Sequence, residues 1–128
     1  MSRSVLLIED NEQNRYLVTF LLERSGFTVH AFADGPQGIE AARIRVPALI
    51  LLDIQLPLMD GYAVARALRS NEALRGTPIV AVTSYAMPGD REKALAAGCT
   101  GYIEKPINPE TFVEEVVRAL EQARQEEP

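Results

Sequence analysis

The chain has 128 residues, one cysteine, a formal net charge of -5 and a hydrophobic fraction of 47%. This length suits one globular domain with its own core, and the acidic balance argues against nucleic acid or an anionic membrane as the main partner. A lone cysteine excludes an internal disulfide and a cysteine-rich zinc site. The first residues lack a signal peptide's apolar core and no apolar run reaches membrane-spanning length, so we expect a cytoplasmic protein.

Strand-like and helix-like segments alternate along the first half of the chain. The apolar run Val5–Ile8 predicts a buried strand, and a helical spacing of apolar residues then continues to a stop at Gly26. Thr28–Phe32 alternates polar and apolar residues, which is typical of a half-exposed edge strand. Asp34 with Gln37 forms a capping-box pattern that predicts the start of the second helix.

The alternation continues in the second half. Ala48–Leu52 predicts a third strand that is buried on both faces, and Asp60 is placed to cap a third helix. Ile79–Val82 predicts a fourth strand. Pro88 is the predicted start of a short fourth helix, which should end near Gly98.

A last short strand, Gly101–Glu104, precedes the fifth predicted helix. Asn108 is the expected cap of that helix and Pro109 its first residue. Its apolar residues recur at helical spacing and predict a buried stripe of Val113, Val116, Val117 and Leu120. Residues 1–124 are therefore expected to form the domain, with residues 125–128 as a polar C-terminal tail.

Five β-α units predict an α/β fold, a doubly wound (βα)5 arrangement with helices on both faces of a five-stranded parallel sheet. The strand order 2-1-3-4-5 of flavodoxin-like proteins makes the first and third strands neighbours. Ligands of such sheets bind at the carboxyl ends of the strands. We therefore expect the polar residues that follow these strands to share one site.

Polar residues follow four of the predicted strands. Glu9 and Asp10 follow the first strand and Asp53 follows the third, so three carboxylates should meet in one crevice and repel one another without a cation. Mg²⁺ favours carboxylates, retained waters and phosphate oxygens. Thr83 and Lys105 follow the fourth and fifth strands, and a hydroxyl and an ammonium group suit a phosphoryl group. The pattern predicts a combined metal and phosphoryl site.

These residues resemble the receiver domain of two-component response regulators, a CheY-like domain. The residues that carry the similarity are Glu9-Asp10, Asp53 within the segment Leu52–Gly61, Thr83, and Lys105-Pro106. The resemblance covers nearly the whole chain and implies that Asp53 accepts phosphate from a phosphohistidine of a histidine kinase or histidine phosphotransfer protein. Because the chain ends where a receiver ends, we expect a stand-alone, single-domain regulator.

The resemblance also assigns the predicted metal site and its surroundings. Asp53 is the phosphoacceptor, since a carboxylate can attack phosphorus and form an acyl phosphate. Asp10 and Glu9 hold Mg²⁺, Glu9 either directly or through water, and Asp53 and the backbone carbonyl of Gln55 complete the shell. The peptide bond before Pro106 is expected to be cis.

Other residues are assigned to phosphate contact and switching by the same resemblance. Thr83 and Lys105 each bond a phosphoryl oxygen. Thr83 moves toward the phosphate, and Tyr102 turns inward to fill the space that it leaves. Gln55 and Tyr85 occupy positions that modulate water access, so they are expected to set the lifetime of the phosphate.

The expected output is the binding of a downstream protein or onward transfer of the phosphate, rather than catalysis on an outside substrate. The switch should change the face formed by the fourth helix, the fifth strand and the fifth helix. The chain is expected to be a phosphoacceptor that assists its own phosphorylation and dephosphorylation, not an enzyme. It should be a monomer or a weak phosphorylation-dependent dimer.

Three other functions share parts of this pattern. A magnesium-dependent aspartyl-phosphate phosphatase of the haloacid-dehalogenase type needs a second acid two residues after the nucleophile, where this chain has Gln55. A flavin-binding module needs a glycine- and hydroxyl-rich phosphate loop, whereas the acidic segment 9–12 would repel a phosphate. A degenerate receiver that serves as a constitutive binding surface would lack a site residue, and here every position is filled.

Overall fold

Five strands and five α-helices alternate in the computed structural model, which describes residues 3–84 and 87–126. The strands are β1 (Ser4–Ile8), β2 (Thr28–Phe32), β3 (Leu49–Asp53), β4 (Ile79–Thr83) and β5 (Gly101–Glu104). The helices are α1 (Glu12–Arg24), α2 (Gly35–Ile44), α3 (Gly61–Arg69), α4 (Asp90–Ala96) and α5 (Phe112–Glu126), with a short 3-10 helix (Glu72–Leu74) after α3. The predicted α/β element order is confirmed.

The five strands form one parallel sheet in the order β2-β1-β3-β4-β5, as predicted. β1 lies between β2 and β3, with Ile8 opposite Phe32 on one side and Leu52 on the other. β2 is an edge strand with a half-exposed pattern, which its alternating sequence predicted. The residues after β1 and β3 therefore leave the sheet side by side.

The sheet separates two apolar layers because successive side chains of a strand point to opposite faces. Val5 and Leu7 of β1 face the layer under α1 and α5, whereas Leu6 and Ile8 face the layer under α2 and α3. The central strands repeat this division, with Leu49, Leu51, Val80 and Val82 in the first layer and Ile50, Leu52, Ile79 and Ala81 in the second. Burial on both faces explains the continuous apolar runs of the sequence.

Two helix starts follow directly from local sequence. The Asp34 carboxylate accepts a hydrogen bond from the backbone N–H of Gln37 at 2.9 Å, and the Gln37 carboxamide donates to the same carboxylate at 3.1 Å. The Asp60 carboxylate accepts from the N–H of Ala63 at 3.0 Å. Both caps were predicted, and both satisfy N–H groups that the first helical turn leaves without partners.

The predicted start of the fourth helix is wrong by two residues. α4 begins at Asp90 rather than Pro88, because the Asp90 carboxylate accepts from the N–H of Met87 at 3.1 Å and Gly89 has a φ of 91°. These contacts form a turn before the helix. α4 ends at Ala96, close to the stop predicted at Gly98.

The predicted start of the fifth helix is also wrong. Asn108 does bond the following backbone, since its side chain accepts from the N–H of Glu110 at 3.0 Å, but the segment that begins at Pro109 is a turn and α5 starts at Phe112. The predicted stripe packs against the sheet, together with Phe112. α5 continues to Glu126, into the predicted polar tail. No helix in the described ranges is long and apolar enough to cross a membrane.

The connection from β3 to α3 folds tightly beside Asp53. Leu58 has a φ of 69°, in the left-handed region that is unfavourable for residues with a side chain. The N–H of Gly61 donates to the carbonyl of Ile54 at 2.9 Å, which brings the start of α3 against the residue after Asp53. A Cβ atom at Gly61 would overlap the Cα of Ile54 and lie 2.8 Å from the carbonyl oxygen of Asp53. Only glycine fits this approach.

Gly61→Ala is expected to lower the free energy of unfolding by about 3 kcal/mol, at the upper end of overpacking effects, because the opposing atoms are backbone and cannot rotate away. Urea denaturation followed by far-ultraviolet circular dichroism measures the change. Gly101→Ala is the matched control, since the nearest atom to its Cβ would be Val80 Cγ2, a side-chain atom at 3.3 Å. Equal stability of the two variants would contradict the close approach at Gly61.

Candidate functional site

Three carboxylates meet at the carboxyl edge of the sheet. Glu9 and Asp10 directly follow β1, and Asp53 is the last residue of the neighbouring β3. Carboxylate oxygens of the three residues lie within 4.8 Å of one another. Glu9 and Asp53 are each 2% exposed, whereas Asp10 is exposed at the rim. The convergence that the strand order predicted is present.

Lys105 lies between the two buried acids. Its Nζ is 2.8 Å from Glu9 Oε1 and 3.3 Å from Asp53 Oδ2. Among the described residues, these are the ion pairs of the site. The pairing with Glu9 was not predicted from sequence. The peptide bond between Lys105 and Pro106 is cis, as the family resemblance implied.

The carboxyl group of Asp53 has an unusual pKa. Burial, followed by the hydrogen bond and negative charge of Glu9, raises the pKa of Asp53 from 3.8 to about 7. The N–H of Gln55, which donates to Asp53 Oδ1 at 2.9 Å, and the charge of Lys105 oppose this rise. Without a metal, the protonated and ionised forms of Asp53 are therefore both populated near neutral pH.

The pKa of Lys105 is also raised, which for a lysine favours the charged form. Burial disfavours its charged ammonium group, but the hydrogen bonds and charges of Glu9 and Asp53 outweigh burial and raise the pKa of Lys105. The lysine stays protonated at neutral pH. The ammonium group of Lys105 therefore places a positive charge beside Asp53, where an incoming anion would bind.

Thr83 and Tyr102 lie on β4 and β5, the two strands that follow β3 in the order of the sheet. Thr83 ends β4 and is buried, and its backbone carbonyl accepts from the N–H of Lys105 at 2.8 Å. Thr83 also lines a cavity of about 310 Å³ together with Ile54, Tyr62, Met87 and Asp90. Tyr102 is half-buried on β5, opposite Ala81 and two register positions from Thr83. Burial raises the pKa of its phenol.

Gln55 connects two loops of the rim. Its carboxamide oxygen accepts from the hydroxyl of Ser84 at 2.9 Å, which ties the loop after β3 to the loop after β4. The predicted role of its backbone carbonyl as a metal ligand stays a prediction. Tyr85, the other residue predicted to control phosphate lifetime, lies outside the described residues.

Sequence reasoning missed Arg15. Its Nη1 donates to the backbone carbonyls of Glu9 at 3.0 Å and Asp10 at 3.2 Å. A signal was available, because the side chain of a residue in the first turns of a helix points back toward the helix start. Arg15 stands one turn into α1, directly above the loop that carries the two acids.

The donor set suits a hard divalent cation. Carboxylate oxygens on three residues lie close enough to share one ion, and one of them, on Asp10, opens to solvent. Oxygen ligands with room for retained waters are the environment that Mg²⁺ prefers. The residues present therefore fit a magnesium ion.

Comparison with known proteins decides the family. The model of the response regulator receiver domain matches residues 5–117 of the chain. The chain belongs to the response regulator receiver family. As a receiver domain, it is the signal-receiving part of a two-component response regulator, and its acidic cluster fits the receiver site.

The relatives agree along nearly the full length. The chain is 42% identical over 116 residues to the polar-differentiation response regulator DivK of Brucella ovis, across 91% of this chain and 94% of that protein. The chemotaxis protein CheY4 of Vibrio cholerae matches with a TM-score of 0.88 and 29% identity, over 93% of this chain and 99% of its own. The receiver domain of a Pseudomonas aeruginosa sensor histidine kinase matches with a TM-score of 0.85 and 35% identity, over 94% and 99%. That receiver is described with a magnesium ion coordinated in its active-site cleft.

Proposed function

We propose that this receiver is a phosphorylation-driven switch in which Asp53 accepts a phosphoryl group from the phosphohistidine of a histidine kinase or histidine phosphotransfer protein. Asp53 carries the assignment, because its carboxylate is buried at the open edge of the sheet and touches the ammonium group of Lys105 at 3.3 Å. A carboxylate in this position can attack phosphorus. The lysine beside it supplies the positive charge that the transferred group needs.

The phosphoryl transfer needs no reactant other than Asp53, the donor phosphohistidine and a proton. An Asp53 carboxylate oxygen forms the new bond to phosphorus, the bond from phosphorus to the donor imidazole breaks, and the imidazole nitrogen keeps the electron pair and takes up a proton from solvent. Lys105 would turn from its carboxylate partners to a phosphoryl oxygen, and the Thr83 hydroxyl would bond a second oxygen. Most of the rate enhancement in such transfers comes from positioning and charge stabilisation.

Glu9, Asp10 and Asp53, with the backbone carbonyl of Gln55, would hold Mg²⁺ beside the acceptor, Glu9 directly or through water. The cation, when bound, neutralises charge on the phosphoryl oxygens. The 4.8 Å grouping of the three carboxylates supports this ligand set. The protein's own part is to hold Asp53 at the open edge of the sheet, where Lys105 and the bound cation would favour its ionised form.

Phosphorylation would be transmitted through Thr83 and Tyr102. Thr83 lies beside a cavity, so its side chain has room to move, and Tyr102 stands on the adjacent strand with its ring half-buried. Movement of Thr83 toward the phosphate would leave space into which Tyr102 turns. The face formed by α4, β5 and α5 would change as a result, for a downstream protein or for onward transfer of the phosphate.

The phosphatase alternative has no support at the residue that it requires. Gln55 stands where a haloacid-dehalogenase-type enzyme needs its second acid, and its carboxamide is engaged by Ser84. An amide cannot act as a general acid or base at neutral pH.

The chain is proposed to work as a monomer or a weak phosphorylation-dependent dimer in the cytoplasm.

The acceptor can be tested with a small acyl-phosphate donor and Mg²⁺, which avoids the need for a cognate kinase. The wild-type chain should gain one base-labile phosphoryl group, located at Asp53 by mass spectrometry. Asp53→Asn should lose the label, and Asp60→Asn, which alters an exposed helix cap, should keep it. A wild-type level of label in Asp53→Asn would refute the assignment.

A further inference from the structure

Arg15 contacts two of the three residues that connect β1 to α1. One nitrogen of its guanidinium group, Nη1, donates to the carbonyl oxygens of Glu9 and Asp10, at 3.0 Å and 3.2 Å. Within residues 3–84 and 87–126, Arg15 forms no ion pair with a carboxylate side chain. Its observed hydrogen bonds therefore go to the main chain of the two candidate metal ligands.

The same connection is also fixed from other sides. The N–H of Glu9 donates to the carbonyl of Phe32 at 3.0 Å, and Glu9 Oε2 accepts from the N–H of Asn11 at 3.2 Å. Arg15 bonds the carbonyl oxygens of the peptide planes that follow Glu9 and Asp10, and the N–H of the second of these planes is the one that donates to Glu9 Oε2. Because a Cα–Cβ direction depends on the peptide planes around it, these bonds of Arg15 constrain the directions in which both side chains leave the main chain.

We propose that Arg15 is a positioning residue for the magnesium site, holding the carboxylates of Glu9 and Asp10 together with Asp53 before the metal arrives. This inference rests on the proposed function, since it takes magnesium as the ligand. Groups that orient metal ligands without touching the metal typically change its affinity by 10–100-fold when they are removed. Arg15 acts here through backbone carbonyls rather than through the ligand side chains.

The charge of Arg15 predicts an effect of the opposite sign, which makes the inference testable. A positive charge near a cation site weakens metal binding by repulsion, so removal of that charge alone should tighten the binding of Mg²⁺. Removal of a positioning contact should weaken it. The direction of the change in affinity therefore separates the two roles.

Isothermal titration calorimetry with Mg²⁺ on the full chain tests this. Arg15→Gln is expected to bind Mg²⁺ about tenfold more weakly than the wild type. Arg15→Lys, which keeps one cationic donor, should recover part of that loss. Arg24→Gln is the matched control, because it removes the same charge from the same helix at a residue that packs over the Phe20 ring, and its affinity should stay within about twofold.

Asp10→Asn separates failure of this inference from failure of the proposed site. It should weaken Mg²⁺ binding whether or not Arg15 has a positioning role, and an unchanged affinity would refute the magnesium site itself. If Asp10→Asn weakens binding while Arg15→Gln stays within about threefold of Arg24→Gln, or binds more tightly, the positioning role is refuted. Circular dichroism at the titration temperature confirms that each variant is folded.

Discussion

Lys105→Met is expected to lower the free energy of unfolding of the metal-free protein by about 3 kcal/mol at about pH 8, because it removes the cation between two buried carboxylates. The side chains of Glu9 and Asp53 are 3% exposed and that of Lys105 is 12% exposed, so water does little to replace the lost charge. Methionine has a similar length and keeps the packing of the lysine stem. The loss therefore reports the charge.

The loss should shrink as the pH falls. Lys105 is one of the two influences that hold down the pKa of Asp53, so its removal raises that pKa further above about 7. At about pH 5.5 Asp53 then carries a proton in the variant, the repulsion from Glu9 disappears, and the expected loss is about 1 kcal/mol. Urea denaturation in the presence of a chelator, at both pH values, measures the difference.

Lys93→Met is the matched control, since Lys93 is an exposed residue of α4 that forms no ion pair among the described residues. Substitutions at such positions usually change stability by less than about 0.5 kcal/mol. If Lys105→Met and Lys93→Met were equally stable at about pH 8, Lys105 would have no role in neutralising the acidic cluster.

The ion pair between Lys105 and Glu9, on which Lys105→Met depends, could not be predicted from the sequence. The apolar runs before Glu9 and Asp53 predicted their strands, and strand order then brought the two acids together. Lys105 follows β5, which is three positions away from β1 in the sheet, or roughly 14 Å at the usual strand spacing. A flat sheet would keep it from Glu9. The length of the lysine side chain and the twist of the sheet both shorten that distance, and residue patterns do not give the amount of twist at this place.

The helix starts show the same limit at short range. Asp34 and Asp60 were predicted correctly because a cap uses only residues three positions apart. At Pro88 and Pro109 the prediction failed, since proline at the first position of a helix and proline at the second position of a turn require the same φ. The side chains of Asp90 and Asn108 decide in favour of a turn at each place.

Asp53→Asn is expected to make the metal-free protein more stable than the wild type, by an amount that grows with pH. The folded pKa of Asp53, about 7, lies above its ordinary value of 3.8, so the folded state binds this proton more tightly than the unfolded state. The contribution of Asp53 to the free energy of unfolding of the wild type is fully present below about pH 4, and it is lost as the pH rises through about 7. Asparagine has no proton to lose.

The shift in pKa corresponds to about 4 kcal/mol in full, and local rearrangement of the site around the ionised carboxylate reduces the expected gain to about 2–3 kcal/mol between about pH 4 and pH 8. Urea denaturation with a chelator at several pH values measures it. Asp34→Asn is the control, because asparagine also caps helices and this half-buried residue caps α2 away from the acidic cluster. A difference between Asp53→Asn and wild type that does not change with pH would contradict the raised pKa.

Adding Mg²⁺ should remove the advantage of Asp53→Asn. The ion binds the folded wild type and stabilises it by about 2.7 kcal/mol at a concentration of one hundred times its dissociation constant. The variant lacks one of the three carboxylates and should gain less, so the order of stability at about pH 8 should become equal or reverse. If Asp53→Asn kept its full advantage in saturating Mg²⁺, the acidic cluster would not be the metal site. A different positive group would then have to offset the repulsion among its carboxylates.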